Sequence, residues 1–378
     1  MENSERIIKV GLIGVGAMGK KYAKMLDGNI EGMRLTAIGA RSDKTLEWVK
    51  ANISSEVKIY RSAEDLINGS DIDCVLIAVP HKAHKDIAIS AFRAGKDVLC
   101  EKPAAADIAD AEEMKAEAEK YGRKYGIMFQ WRTFYAVKKF KELLESGTVG
   151  KIRRINLENT IYYRTAHYHN SADWRSTWKG EGGGALINQG QHILDMWLWL
   201  FGMPESIYVN VKYGKYNDFY VEDEATLVMN YGDNVTGTFI LTTGEIPYKE
   251  ELSVVGTKGK ITMRGSKLTV ETYPDSEEYG RNWGGNSREG ARTEISEIEC
   301  GENEREYCEM LENFRDNILF NEPLKAVGQD GINALQLTVG AYVSSREKRE
   351  IPLPLSGEYG ADYQKAMFME FEEKEDKK

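Results

Sequence analysis

Lys102, within Glu101-Lys102-Pro103, follows an apolar run and carries a cation able to hydrogen-bond a substrate oxygen or relay its proton. His192, in Gly182-Gly183-Gly184-Ala185-Leu186-Ile187-Asn188-Gln189-Gly190-Gln191-His192-Ile193-Leu194-Asp195, is the side-chain type that exchanges a proton near neutral pH. Between them lies YYRTAHYHNSADWRSTWK, residues 162–179, dense in aromatics and cations. Flat ring faces beside hydrogen-bond donors suit a pyranose, whose C–H faces are apolar and whose rim is polar. Tyr163, Arg164, His167, Trp174 and Arg175 are therefore candidate substrate contacts, together with Lys102, Asn188 and His192. The alternative for 162–179 is an interface, or a loop packed on its own rings. His167-x-His169 lacks a third ligand at the usual spacing, so no metal is expected.

These side chains need a scaffold, and its clearest trace is Ile7–Gly19, IIKVGLIGVGAMG. The apolar start reads as a strand buried on both faces of a parallel sheet. Gly14, Gly16 and Gly19 then have G-x-G-x-x-G spacing, for a tight turn, close approach of a pyrophosphate and close helix–sheet packing. The backbone N–H groups of Ala17 and Met18 open the following helix and face the phosphates with its positive dipole end. Further strands are expected at 34–40, 57–60, 71–80, 97–100 and 125–129, alternating with helices. That pattern makes an α/β, doubly wound parallel sheet, which binds ligands beyond the carboxyl ends of its strands, where Lys102 falls.

The second strand ends at Ala40, where a carboxylate would hold an NAD ribose. Arg41 and Ser42 follow instead, which favours NADP, with NAD the alternative. From Trp131 the pattern changes to alternating segments with turn signals, an α+β domain on an open, mostly antiparallel sheet. The expected domains are 1–130 for the dinucleotide, 131–356 for substrate and oligomerisation, and a charged tail over 357–378. Residues 282–290 read as a loop, and 184–200 as a helix whose polar stripe is Asn188, His192, Asp195 and Trp199. On that stripe His192 and Asp195 can pair. The net charge of −10 argues against nucleic-acid and anionic-membrane partners. With no membrane-length apolar run, no signal-like start and no disulfide framework among four cysteines, a cytoplasmic protein is expected.

Taken together, the glycine turn, Pro80 with His84, Glu101-Lys102-Pro103 and the GGG…His192-x-x-Asp195 stretch resemble the Gfo/Idh/MocA oxidoreductases. The resemblance implies a Rossmann domain, with Pro80, His84, Glu101 and Lys102 near the cofactor. It also implies Lys102 beside the nicotinamide, His192 as the proton-transfer residue, and a homodimer or homotetramer built on the open sheet. Many cyclitol and sugar dehydrogenases of the family carry Asp where this chain has Asn188, which weakens an inositol assignment. The expected reaction is oxidation of a ring secondary alcohol of a sugar or glycoside, with the C3 hydroxyl favoured. Alternatives are a cyclitol 2-dehydrogenase, a glycoside-processing enzyme that retains its cofactor, and a non-catalytic dinucleotide-binding regulator.

Overall fold

The computed structural model describes residues 6–54, 56–285 and 292–376; the end of the expected loop, 286–290, and the last two tail residues lie outside them. The chain forms two compact units. The first comprises residues 1–130, 179–182 and 305–335; the second comprises 131–178, 183–304 and 336–378. No described helix is long and apolar enough to cross a membrane.

The first unit carries six strands: β1 (Ile8–Ile13), β2 (Met33–Gly39), β3 (Lys58–Tyr60), β4 (Cys74–Ile77), β5 (Asp97–Cys100) and β6 (Tyr125–Ile127). All pair in parallel, in the order β3-β2-β1-β4-β5-β6. This is the doubly wound order whose reversal, between β1 and β4, opens the ligand crevice. Every residue of β4 is buried, as are Leu12, Ile13, Val98, Leu99 and Cys100, because helices cover both faces. Strand lengths fall slightly short of the sequence expectation, β6 stopping at Ile127.

The second unit carries nine strands: β7 (Ile152–Asn159), β8 (Ser206–Tyr213), β9 (Glu222–Tyr231), β10 (Val235–Thr242), β11 (Glu250–Gly256), β12 (Gly259–Arg264), β13 (Lys267–Thr272), β14 (Glu294–Glu299) and β15 (Ile351–Pro352). Their order is β14-β13-β12-β11-β7-β10-β9-β8-β15, antiparallel except where β7 meets β10. Alternation assigns the faces: Leu157, Leu227, Phe239, Leu252 and Ile261 point to the core, while Asn156, Val228, Thr238, Ser253 and Thr262 point away. The segment read as a charged tail instead forms a helix, Ala361–Glu375, because Met367 and Phe371 recur four apart and are buried. Phe371 stacks on Trp178 at 4.4 Å.

Candidate active site

In the first unit the glycine turn has the shape that its spacing predicts. Gly14 has φ +94°, and a Cβ there would stand 2.4 Å from the Ala78 carbonyl oxygen. A Cβ on Gly19 would come within 2.0 Å of the Gly14 oxygen, so the helix Ala17–Leu26 can pack this closely only with glycine. Gly16 differs: nothing lies within 4 Å of its missing Cβ. That space adjoins a helix start with no side-chain cap and no acidic residue in its first turn, so its N–H groups remain available to an anion. The residues present fit a dinucleotide pyrophosphate.

Beyond β2, Ser42 is committed to the backbone: its hydroxyl caps the helix Asp43–Asn52, accepting from Thr45 N at 3.3 Å. Arg41 is exposed, and its carbonyl accepts Arg61 Nη1 at 2.8 Å. Arg61, whose Nη2 also donates to Asp43 Oδ1 at 2.7 Å, is a second cation at this strand end that the sequence pattern does not single out. Its signal is register, since Gly39 of β2 lies opposite Tyr60 of β3.

Pro80 is exposed, whereas His84 is fully buried. Its Nδ1 lies 2.9 Å from the Pro103 carbonyl and its Nε2 2.9 Å from that of Val79. Burial holds the imidazole below its ordinary pKa, against the pull of these carbonyls. His84 thus braces the turn at Pro80 against the Lys102–Pro103 loop. Glu101 is also buried, and burial raises its carboxyl pKa while Lys102 lowers it. It accepts from the Tyr22 hydroxyl and from Lys102 N at 3.0 Å, fixing the backbone from which the half-buried Lys102 side chain leaves.

In the second unit the helix expected over 184–200 begins only at Gly190, so Asn188 lies in the turn ahead of it. That turn is clamped by Glu222, at the start of β9. Its carboxylate accepts Gly184 N at 2.8 Å and Leu186 N at 2.9 Å, while its carbonyl accepts Ala185 N at 2.8 Å. Gly183 and Gly184 are required by the clamp: Cβ atoms there would meet the Tyr342 hydroxyl at 2.5 Å and the Glu222 carbonyl oxygen at 2.2 Å.

Within the helix Gly190–Phe201, His192 is buried and lies parallel to Trp131, with ring centroids 6.2 Å apart and planes at 7°. Asp195, the residue expected to pair with His192, is fully buried and gripped by Arg132 through both oxygens, at 2.9 and 2.5 Å. The 162–179 segment contributes a hub absent from the sequence-based candidates, Tyr168. Its hydroxyl accepts Arg175 Nη1 at 2.6 Å, Asn188 Nδ2 at 3.1 Å and Gln189 Nε2 at 3.1 Å. Arg164 and Arg175 both stack on the Tyr168 ring, and Arg175 also covers Trp174 at 4.7 Å. Tyr163 and His167 stand exposed and outside this cluster, and His169 turns inward to bond Ser176 at 2.5 Å.

A family model for Gfo/Idh/MocA oxidoreductases, described as an NAD-binding Rossmann fold, matches residues 8–129. A second, for the Gfo/Idh/MocA C-terminal domain, matches residues 137–262. The chain belongs to the Gfo/Idh/MocA oxidoreductase family. The myo-inositol 2-dehydrogenase of Thermotoga maritima is 27% identical over 92% of this chain and 98% of its own length. The NADP(+) scyllo-inositol 2-dehydrogenase of Bacillus subtilis is 26% identical over 92% of this chain and 96% of its own. The WlbA dehydrogenase of Bordetella pertussis, crystallised with NADH and UDP-GlcNAcA, has the same fold, with TM-score 0.78 and 23% identity over 93% of this chain and all of its own. This Gfo/Idh/MocA member is an NAD(P)-dependent oxidoreductase acting on CH–OH groups. Its Gly14–Gly19 turn would hold the pyrophosphate, and the end of β2 the adenosine ribose.

Proposed function

We propose that this oxidoreductase oxidises a ring secondary alcohol of a sugar or glycoside, at C3, with NADP as the preferred cofactor. The observation that carries the reading is the cluster around Tyr168. There Asn188, Gln189 and Arg175 converge on one hydroxyl, four residues before His192 in the case of Asn188. Amide and guanidinium donors beside aromatic faces suit a ring carrying several hydroxyls. Bound nicotinamide supplies the hydride acceptor. His192 takes the hydroxyl proton as general base, its ring lying parallel to that of Trp131. Lys102 donates a hydrogen bond to the oxygen as it becomes a carbonyl, on a backbone tied down by Glu101. Arg41 and Arg61, at the ends of β2 and β3, favour a 2′-phosphate over a bare ribose. The second reading is an inositol, favoured by the full-length likeness to two inositol 2-dehydrogenases.

The test follows reduced-nicotinamide absorbance with NAD⁺ or NADP⁺ against inositols, free hexoses and glucosides. Lys102→Ala and His192→Ala are each expected to lower kcat by about 10²–10⁴-fold on the true substrate. Wild-type turnover in both variants would refute the roles of Lys102 and His192. An inositol outpacing every sugar would move the assignment to the second reading, and better use of NAD⁺ than NADP⁺ would remove the cofactor preference.

A further inference from the structure

Among the described residues, Arg164 is a cation with no ion-pair partner. Its backbone N–H donates to the Thr243 carbonyl at 2.8 Å, which fixes where the side chain starts. The guanidinium carbon then lies 4.3 Å from the ring centroid of Tyr168 and 5.2 Å from that of Tyr162. Its Nε is buried without a hydrogen-bond partner, and among the described residues no carboxylate forms an ion pair with it. A buried donor left without an acceptor is rare in folded proteins and expensive to maintain. The acids on neighbouring strands are occupied. Asp223 accepts the backbone N–H groups of Lys215, Tyr216 and Asn217, at 3.0, 2.7 and 3.3 Å. Glu250 accepts from Asn159 Nδ2 at 3.4 Å, and burial pushes its carboxyl pKa up, toward the neutral form.

A second guanidinium shares the ring: Arg175 stacks on Tyr168 at 4.4 Å. Asn188, bonded to the Tyr168 hydroxyl, links both cations to the turn that leads into the His192 helix. A guanidinium is planar and presents its donors as a fork matched to a carboxylate or a phosphate. A neutral ring seated against Tyr168 offers hydroxyl oxygens as acceptors but no counter-charge to either guanidinium.

We propose that Arg164, assisted by Arg175, binds an anionic group of the substrate, a carboxylate or phosphate carried on the ring whose hydroxyl is oxidised. The enzyme thus takes an acidic sugar in preference to a neutral one. This rests on the sugar-oxidising reading above and narrows its substrate class.

Matched compounds differing in charge test it: glucose, glucuronate and glucose 6-phosphate, and methyl glucoside beside methyl glucuronide. Wild-type, Arg164→Gln and Arg164→Lys are compared by the ratio of kcat/KM for the anionic and neutral member of each set. The expected wild-type ratio is about tenfold or more. Arg164→Gln collapses it through KM, and Arg164→Lys restores part of it. Preference for glucuronate or for the phosphate names the anion. Neutral members used as well as anionic ones, or a ratio that survives Arg164→Gln, overturns the anion site while the dehydrogenase reading stands. Turnover of none counts against that reading, and thermal shifts then decide the site. Glucuronate or glucose 6-phosphate must raise the melting temperature of wild-type more than that of Arg164→Gln, and equal shifts overturn the proposal.

Discussion

At the scale of single residues, Glu222 shows how a charge-bearing side chain serves a site without touching the chemistry. It is buried at 1% exposure and accepts Gly184 N, Leu186 N and the Tyr342 hydroxyl, the last at 2.8 Å. Burial nonetheless dominates and pushes its carboxyl pKa up to about 7, while those hydrogen bonds pull it down. A folded-state pKa above the unfolded value means that the stabilisation is complete below the unfolded value and is lost as pH rises through the folded one. Stability therefore falls by up to about 3 kcal/mol between the ordinary glutamate pKa and pH 7. Glu222→Gln removes that dependence but points an amide N–H₂ at a backbone donor, for a loss of about 1–3 kcal/mol. Urea unfolding should show the variant less stable than wild-type near pH 5 and the gap closing by pH 8; a gap constant with pH would refute this role. Sequence spacing exposed the glycines of this clamp but not its acceptor, because Gly184 and Glu222 meet only through the fold of a sheet.

Between elements, the ion pair of Arg132 and Asp195 ties the turn before the helix Tyr135–Glu145 to the His192 helix. The guanidinium also lies over the Trp199 ring at 5.7 Å, and the neighbouring Trp131 lies parallel to His192. With 6% and 0% exposure, the pair has little solvent to compensate the loss of either partner. Asp195→Asn leaves a buried guanidinium short of charge, and a loss of about 3–5 kcal/mol is expected on denaturant unfolding. The variant should also lower kcat, since the ring beside His192 shifts with Arg132, and Arg132→Lys should retain more of both properties. An Asp195→Asn variant within about 1 kcal/mol of wild-type would show that the pair is not an anchor. Local patterns made the first unit readable because glycine spacing and apolar strands act within a few residues. Asp195 was visible as a polar residue on an apolar helix, yet its partner lies 63 residues away. The turn ahead of that helix is clamped by Glu222, 38 residues beyond Gly184, which local spacing does not show either. Tyr168 was lost among neighbouring aromatics, since only the structure distinguishes the ring that collects three donors from the exposed Tyr163.

At the scale of the molecule, the outer face of the nine-stranded sheet bears on assembly. It carries an uncharged patch: Thr226 and Val228 on β9, Thr238 and Ile240 on β10, Asn156 on β7 and the exposed Tyr208 on β8. Charges collect around it and are largely paired, Lys249 with Glu158 at 2.6 Å, Arg264 with Glu251 at 2.6 Å, and Lys260 with Glu271 at 3.4 Å. A neutral patch bordered by charged residues has the composition of a protein interface. Its self-complementary use by two copies is the common route to a symmetric dimer. We therefore expect a homodimer, or a tetramer built from it, at micromolar concentration. Val228→Asp places a charge opposite Tyr208 within that patch, where desolvation without a partner is costly. Light scattering should show wild-type as an oligomer and Val228→Asp shifted to monomer, with melting behaviour separating lost assembly from lost folding. A wild-type monomer would remove the assignment of this face, and an oligomer untouched by Val228→Asp would place the interface elsewhere on the chain.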